Sequence, residues 1–201
     1  MSLDGFIADT NDQVGPLFDW FDNGDVELSG SDPSMVFHIS RASADYLRTA
    51  WSNIAVDVIG RRLFDRTNGW NGRPAVGGAV FVVTHEPPTD WPFPDAPFSF
   101  VTDGVQSAVA QAQAFAGDKD VSLTAGNLVG QALRAGLVDE LRIDLVPVVF
   151  GSGVRYFRQL RRVDPVARSP GDRPRRPRNT SALSNTKVMI MHSATDLPVA
   201  S

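Results

Sequence analysis

The clearest pattern along this chain runs from residue 121 to 153, where the spacing of apolar positions changes twice. Val121-Ser122-Leu123 is a short apolar run flanked by Asp118 and Asp120, the pattern of a buried strand. The turn Thr124-Ala125-Gly126-Asn127 follows, and apolar positions then recur at helical spacing from Leu128 to Ala135. Asn127 is placed to cap that helix through its side-chain oxygen, and Gly136 to end it in the left-handed conformation. Beyond Asp139-Glu140, Leu141 to Leu145 alternates like a half-buried strand and continues as Val146-Pro147-Val148-Val149-Phe150. Strand, glycine-containing turn, helix, strand is the unit from which parallel sheets are built.

The same grammar recurs upstream. Ala42, Tyr46, Leu47, Ala50 and Trp51 predict a helix from Ser40 to Trp51, with Asp45 among its polar positions. Ile54 to Ile59 is an apolar run broken only by Asp57, short enough for a strand covered on both faces. Gly60-Arg61-Arg62 follows it and leads into a helical turn at Leu63-Phe64. Val80 to Val83 is a further strand ending in Thr84-His85, and Phe98 to Thr102 another. Asp103 is placed to cap a helix from Val105 to Ala116, with an apolar stripe at Val105, Ala108, Val109 and Ala112 and a stop at Gly117. Asn11 to Pro33, rich in Gly, Asp and Asn around Phe18, Trp20 and Phe21, predicts a long loop.

Composition narrows the class. With 201 residues, 42% hydrophobic and 21% charged, the chain reads as one globular domain with a sizeable core. No apolar run approaches the ~18–20 residues needed to cross a bilayer, no signal peptide precedes Leu3, and a cytoplasmic setting is expected. Cysteine is absent, which excludes disulfides and thiolate chemistry. His38, His85 and His192 are far apart in sequence, so no metal site is expected. The net charge of −4 conceals a split. Between residues 161 and 178, arginines alternate with prolines, a composition that buries no core. A domain from 1 to 160 followed by an atypical, mobile segment from 161 to 201 is therefore expected, with any strand in that segment at Val188 to Met191.

Two places suggest chemistry. A strand feeding a helix through Ala125-Gly126-Asn127 leaves backbone N–H groups outward, backed by the helix dipole, and suits a pyrophosphate. A plain packing turn fits the same residues, since neither GxGxxG nor a Walker lysine is present. At the end of the 54–59 run, Gly60 permits close approach of a phosphate, and Arg61 and Arg62 offer forked hydrogen bonds.

SLDGFIA at 2–8, VIGRRLFD at 58–65, FVVTHEPP at 81–88, FVTDGVQSAVAQAQAFAGDKDV at 100–121 and TAGNLVGQALRAGLVDELRIDLVPVVFGSGVRYF at 124–157 stand in one order. In that order they resemble the dihydrofolate reductase-like superfamily, in the branch of the C-terminal reductase domain of bacterial riboflavin-biosynthesis proteins. The resemblance implies a three-layer α/β/α fold with a mostly parallel mixed sheet. It also implies an NADPH-dependent reductase, similar to dihydrofolate reductase or 5-amino-6-(5-phosphoribosylamino)uracil reductase, and a homodimer. By this resemblance Leu3, Asp4, Gly5 and Ile7 lie against the nicotinamide. Gly60, Arg61 and Arg62 hold cofactor phosphates, Thr84, His85 and Thr102 lie on the adenosine side, and Ala125, Gly126, Asn127, Leu128 and Val129 form the pyrophosphate turn. Asp45 is the nearest match to a substrate-orienting carboxylate; Asp4, Asp45 or water would deliver a proton.

The chain departs from the family at both ends. Met1 stands directly on Ser2, where relatives carry a central strand first, and the hairpin that completes the family sheet is not legible after Phe157. Missing or altered terminal strands are therefore expected: a start lying upstream or a sheet without that strand, and a shifted frame, a swapped terminus or a basic tail. The basic tail supports the competing class, a non-catalytic binder of nucleic acid or of an acidic partner. Its lack of aromatics between Arg161 and Arg178 argues against base stacking, and the reductase reading is preferred.

Overall fold

The computed structural model describes residues 1–157 and the backbone of 188–191. The expected mobility of the Arg/Pro segment, and the family hairpin, fall on residues outside that description. The first half carries β1 (Phe6–Ala8), the hairpin of β2 (Val26–Ser29) and β3 (Val36–Ile39), α1 (Arg41–Ser52), β4 (Ile54–Gly60) and α2 (Arg61–Thr67). β5 (Ala79–Val83), β6 (Phe98–Val101), α3 (Val105–Ala116), β7 (Asp120–Thr124) and α4 (Asn127–Arg134) complete the repeating part. β8 (Glu140–Leu141), β9 (Val154–Arg155) and β10 (Val188–Met191) are short.

The main sheet has the order β6-β5-β4-β7-β10-β8, and every ladder in it is parallel. β4 and β7 read as apolar runs because both faces of the sheet are covered. On one face Val56, Val58, Val121 and Leu123 pack against Ala108, Val109 and Ala112 of α3 and Leu128, Val129 and Ala132 of α4. On the other, Ile59, Val80 and Val82 meet Phe64 of α2 and Trp70. Each such Val or Leu contributes about 1.5–3 kcal/mol relative to exposure. This is the α/β, three-layer, dihydrofolate reductase-like architecture that the sequence implied.

The chain order creates a switch point. From β4 the strands step outward through β5 to β6, and α3 then returns the chain to β7 on the opposite side of β4. At such a point the loops after neighbouring strands diverge and leave a crevice beyond their carboxyl ends.

Three expectations need correction. Asn127 does not cap α4: it is the first helical residue, and the cap position is Gly126, at φ +103. Asp103 does not cap α3; Gly104 holds that place at φ +99. Short βα connections need positive φ there, a conformation glycine adopts without strain, so the polar neighbour is displaced. The long strand expected over 141–150 forms a ladder only at Glu140–Leu141, with an isolated bridge from Val146 to Ser2 further on. Beyond it Val146, Val148 and Phe150 pack on a second cluster around Phe21, Phe37 and Leu47, while Leu145 and Val149 face outward. The alternation is real, but Pro147 has no N–H to donate.

β10 sits in the interior of the sheet, Val188–Met191 pairing with Val121–Thr124 on one side and 189–190 with Glu140–Leu141 on the other. The N-terminus settles further along the same run: the Met1 ammonium donates to the Asp144 carbonyl at 2.7 Å, and Ser2 bridges Val146 in parallel.

Candidate active site

A cleft of about 560 Å³ opens at the switch point, a size usual for small-molecule and cofactor sites (about 300–1,000 Å³). Its floor is formed by the carboxyl ends of the parallel strands: Gly60 at the end of β4, Val83 of β5 and Thr84 after it, Thr102 after β6 and Thr124 of β7. Ile7, Ala8 and Val154, from the antiparallel pair β1–β9, close one wall.

Three of the elements leaving this floor begin alike. α2, α3 and α4 have Gly60, Gly104 and Gly126 at their cap positions, and no side chain bonds to the first turn of any of them. All three glycines line the cleft, and a Cβ built on each would meet nothing within 4 Å, pointing into open cleft space. A side chain at these points would fill the space a ligand needs. At α3 and α4 the uncapped first-turn amides carry the positive end of the helix dipole, an arrangement chemically suited to an anion.

Cations stand beside them. Arg61, Arg62 and Arg66 all line the cleft, yet they diverge. Arg61 leans towards the end of β5, donating through Nε to Asp65 at 2.6 Å and through Nη1 to the Glu86 carbonyl. Arg62 and Arg66 lean the opposite way, to Asp12 on the turn after β1. Thr84 Oγ1 donates to the Glu86 carbonyl at 2.8 Å and accepts from its N–H, which fixes the loop carrying His85.

The sequence-predicted residues divide accordingly. Ile7, Gly60, Arg61, Arg62, Thr84, His85, Thr102, Ala125, Gly126, Asn127 and Leu128 come together in the cleft wall. Val129 is fully buried in the core beneath α4. Leu3 is exposed, and neither Leu3, Asp4 nor Gly5 lines the cleft. Asp4 braces the wall from behind: it accepts from Ser2 Oγ at 2.7 Å, from Phe150 N at 3.2 Å and from Gly151 N at 2.7 Å. The serine hydroxyl, then those backbone donors, hold its carboxyl below the usual range. Asp45 lies on the outer surface of α1, 3.4 Å from Arg48 Nη1, outside the cleft.

Sequence reasoning missed Gly104, Arg66 and Asp12. Arg66 was within reach, because it follows Arg62 by one helical turn and so shares its face. Gly104 was hidden behind the capping role given to Asp103. Asp12 carries no local signal; only the folded chain brings it to α2. Among the described residues no group of three metal-ligating side chains is poised to hold an ion, and no helix is long and apolar enough to cross a membrane.

A parallel sheet with its cleft at the switch point, walled by uncapped helix starts and arginines, defines a dihydrofolate reductase-like α/β protein. The model of the RibD C-terminal domain family matches residues 1–168, and the chain belongs to that family. The family is one of reductases, so the chain is oxidoreductase-like. The crystal structure of a Shewanella sp. PV-4 protein assigned to riboflavin biosynthesis shares the fold. Its TM-score is 0.57 at 21% identity, over 81% of this chain and 82% of that one. No curated protein matches the chain.

Proposed function

We propose that this chain is an NADPH-dependent reductase that passes hydride to a small conjugated or carbonyl substrate of pterin-like or aminopyrimidine-like shape. The observation that carries the reading is the convergence of Gly60, Gly104 and Gly126 on one cleft, each at a helix start that no side chain caps. A dinucleotide is long, flat at both ends and polyanionic in the middle, and these walls offer close backbone approach where such a middle would lie.

In this reading the turn Ala125-Gly126-Asn127-Leu128 holds the pyrophosphate. Arg61, on the β5 side with Thr84, His85 and Thr102, holds the phosphate that separates NADPH from NADH, whereas Arg62, the other half of the expected pair, leans away to Asp12. Ile7 and Ala8 supply an apolar wall against which a flat ring packs while water is kept off. The cofactor, when bound, supplies the hydride. With Asp4 tied to the 150–151 backbone and Asp45 on the outer face of α1, water entering the cleft is the proton source consistent with this arrangement. A cytoplasmic biosynthetic setting goes with the reading. So does a homodimer, supported by the exposed apolar side chains of Leu3, Leu145 and Val149. Nothing among the described residues favours the nucleic-acid alternative, whose arginines lie outside them.

The test is titration of the purified protein with NADPH and NADH, followed by nicotinamide fluorescence. Binding with NADPH preferred supports the reading; no binding of either nucleotide defeats it.

A further inference from the structure

The divergence of the cleft arginines leaves one pair with an occupant of its own. Arg62 and Arg66 stand one turn apart on α2 and both reach Asp12. Arg62 Nη2 donates to the Asp12 carboxylate, and Arg66 Nη1 donates to the Asp12 carbonyl and lies 3.4 Å from Oδ2. All three residues line the cleft. The Asp12 side chain is 25% exposed, that of Arg66 32% and that of Arg62 59%, so Asp12 and Arg66 are half-buried in the wall while Arg62 is exposed.

The turn that carries Asp12 fixes how it is presented. Asp12 sits at φ +67, in the left-handed region that aspartate and asparagine enter more readily than other non-glycine residues. The turn is built to hold it there: Asp12 N donates to the Asp9 carbonyl at 3.2 Å, and Asp9 Oδ1 accepts from Asn11 N at 2.7 Å and Gln13 N at 2.9 Å. The turn thus places the Asp12 carboxylate within reach of two guanidiniums.

We propose that Arg62 and Arg66 form an anion subsite separate from that of Arg61, which Asp12 fills in the free protein and from which a phosphate group of the ligand displaces it. A phosphate carries more charge than a carboxylate and has three oxygens to share between two guanidinium forks, so it outcompetes Asp12 for the same donors. Two anions cannot share the pair without repulsion, so entry of the phosphate swings the 9–13 turn away. Asp12 thereby excludes weak anions from the subsite and makes its occupancy a condition for moving that turn. The inference rests on the reading that the cleft takes a phosphorylated ligand. It deepens that reading by naming a second phosphate position and the group that guards it.

The experiment uses Asp12→Asn, since asparagine tolerates the left-handed conformation and the turn keeps its backbone bonds. Inorganic pyrophosphate, NADPH and NADH are each titrated by calorimetry into the wild type, into Asp12→Asn and into Asp12→Asn/Arg66→Gln. The expected result is pyrophosphate binding roughly threefold to tenfold tighter in Asp12→Asn, the effect of freeing two partly exposed ion pairs. Adding Arg66→Gln should cancel that gain. A gain of equal size for NADPH and NADH identifies the cofactor's pyrophosphate, common to both, as the source of the phosphate; a gain for NADPH alone puts the 2′-phosphate here instead of at Arg61 and overturns the separation of the two subsites. A gain for pyrophosphate without a gain for either nucleotide identifies the other ligand of the cleft. Unchanged or weaker binding of all three probes in Asp12→Asn overturns the proposal and makes Asp12 a support for the arginines. Failure of NADPH to bind any variant, with the pyrophosphate gain intact, would instead defeat the cofactor reading and leave the subsite standing.

Discussion

Asp57 and Thr124 meet across the centre of the sheet, the threonine hydroxyl donating to the aspartate carboxylate at 3.2 Å from β7 to β4, with both side chains buried. Thr124 is also the last residue of β7 and part of the cleft wall, so this buried pair anchors the start of the turn that leads to Gly126. Thr124→Val removes a donor from a buried carboxylate and is expected to cost about 1–3 kcal/mol of stability. Asp57→Ala should cost a similar amount, and the double variant less than the two together, because neighbours in contact are not additive. Urea unfolding of the four proteins measures this. NADPH affinity should fall in both single variants, and additive stabilities with unchanged affinity would show that the pair does not hold the turn.

Gly60 and Gly126 separate two reasons for needing glycine. At Gly126 a side chain meets backbone strain as well as the cleft, so Gly126→Val should lose both cofactor affinity and roughly 1–3 kcal/mol of stability. Gly60 has φ −87, which any residue adopts, and a Cβ there enters only the cleft. Gly60→Ala should therefore match or exceed wild-type stability, by up to about 0.4–1 kcal/mol through the unfolded chain, while binding NADPH more weakly. Thermal unfolding and fluorescence titration give the two readouts. Unchanged affinity in Gly60→Ala would move the cofactor away from this strand end.

Asp32 makes acid stability testable. Its carboxylate accepts from Ser34 N at 2.9 Å and Ser34 Oγ at 2.8 Å and lies 3.1 Å from Arg73 Nη1. The backbone amide of Ser34 is the largest influence holding its carboxyl below the usual range, with the serine hydroxyl and Arg73 adding to it. Between the ordinary carboxylate pKa and this lowered one, the unfolded chain binds more protons than the folded one. The stability Asp32 contributes is thus present above the ordinary value and lost as pH falls through the lowered one. Asp32→Asn should be less stable than wild type at neutral pH and lose less stability on acidification. Parallel stability curves from pH 7 to pH 2 would contradict this.

Much of the architecture is legible because its signals are local. Val105 to Ala116 carries its stripe and its glycine stop in sequence, and the helix occupies those residues. The runs at 54–59, 80–83 and 121–123 become parallel strands because burial on both faces demands continuous apolar residues. Legibility fails where a partner decides the outcome. Alternation over 141–150 reports that one side is covered, which holds for Val146, Val148 and Phe150, but not that a neighbouring strand supplies a ladder. The interior place of Val188–Met191 is invisible from those four residues alone, since nothing local names β7 and β8 as neighbours. In the site, Gly60-Arg61-Arg62 and the 125–128 turn were readable from chain order, whereas Asp12 reaches Arg62 across 50 positions of sequence.

The most direct test of the account is the nucleotide preference of the wild type against Arg61→Ala. Arg61 lies on the cleft wall beside the end of β5, where a 2′-phosphate would make a charge-assisted bond. Titration with NADPH and NADH by nicotinamide fluorescence should show the wild type preferring NADPH. In Arg61→Ala that preference should shrink by about 1.5–3 kcal/mol, with NADH affinity little changed. Equal losses for both nucleotides, or no binding of either to the wild type, would contradict it.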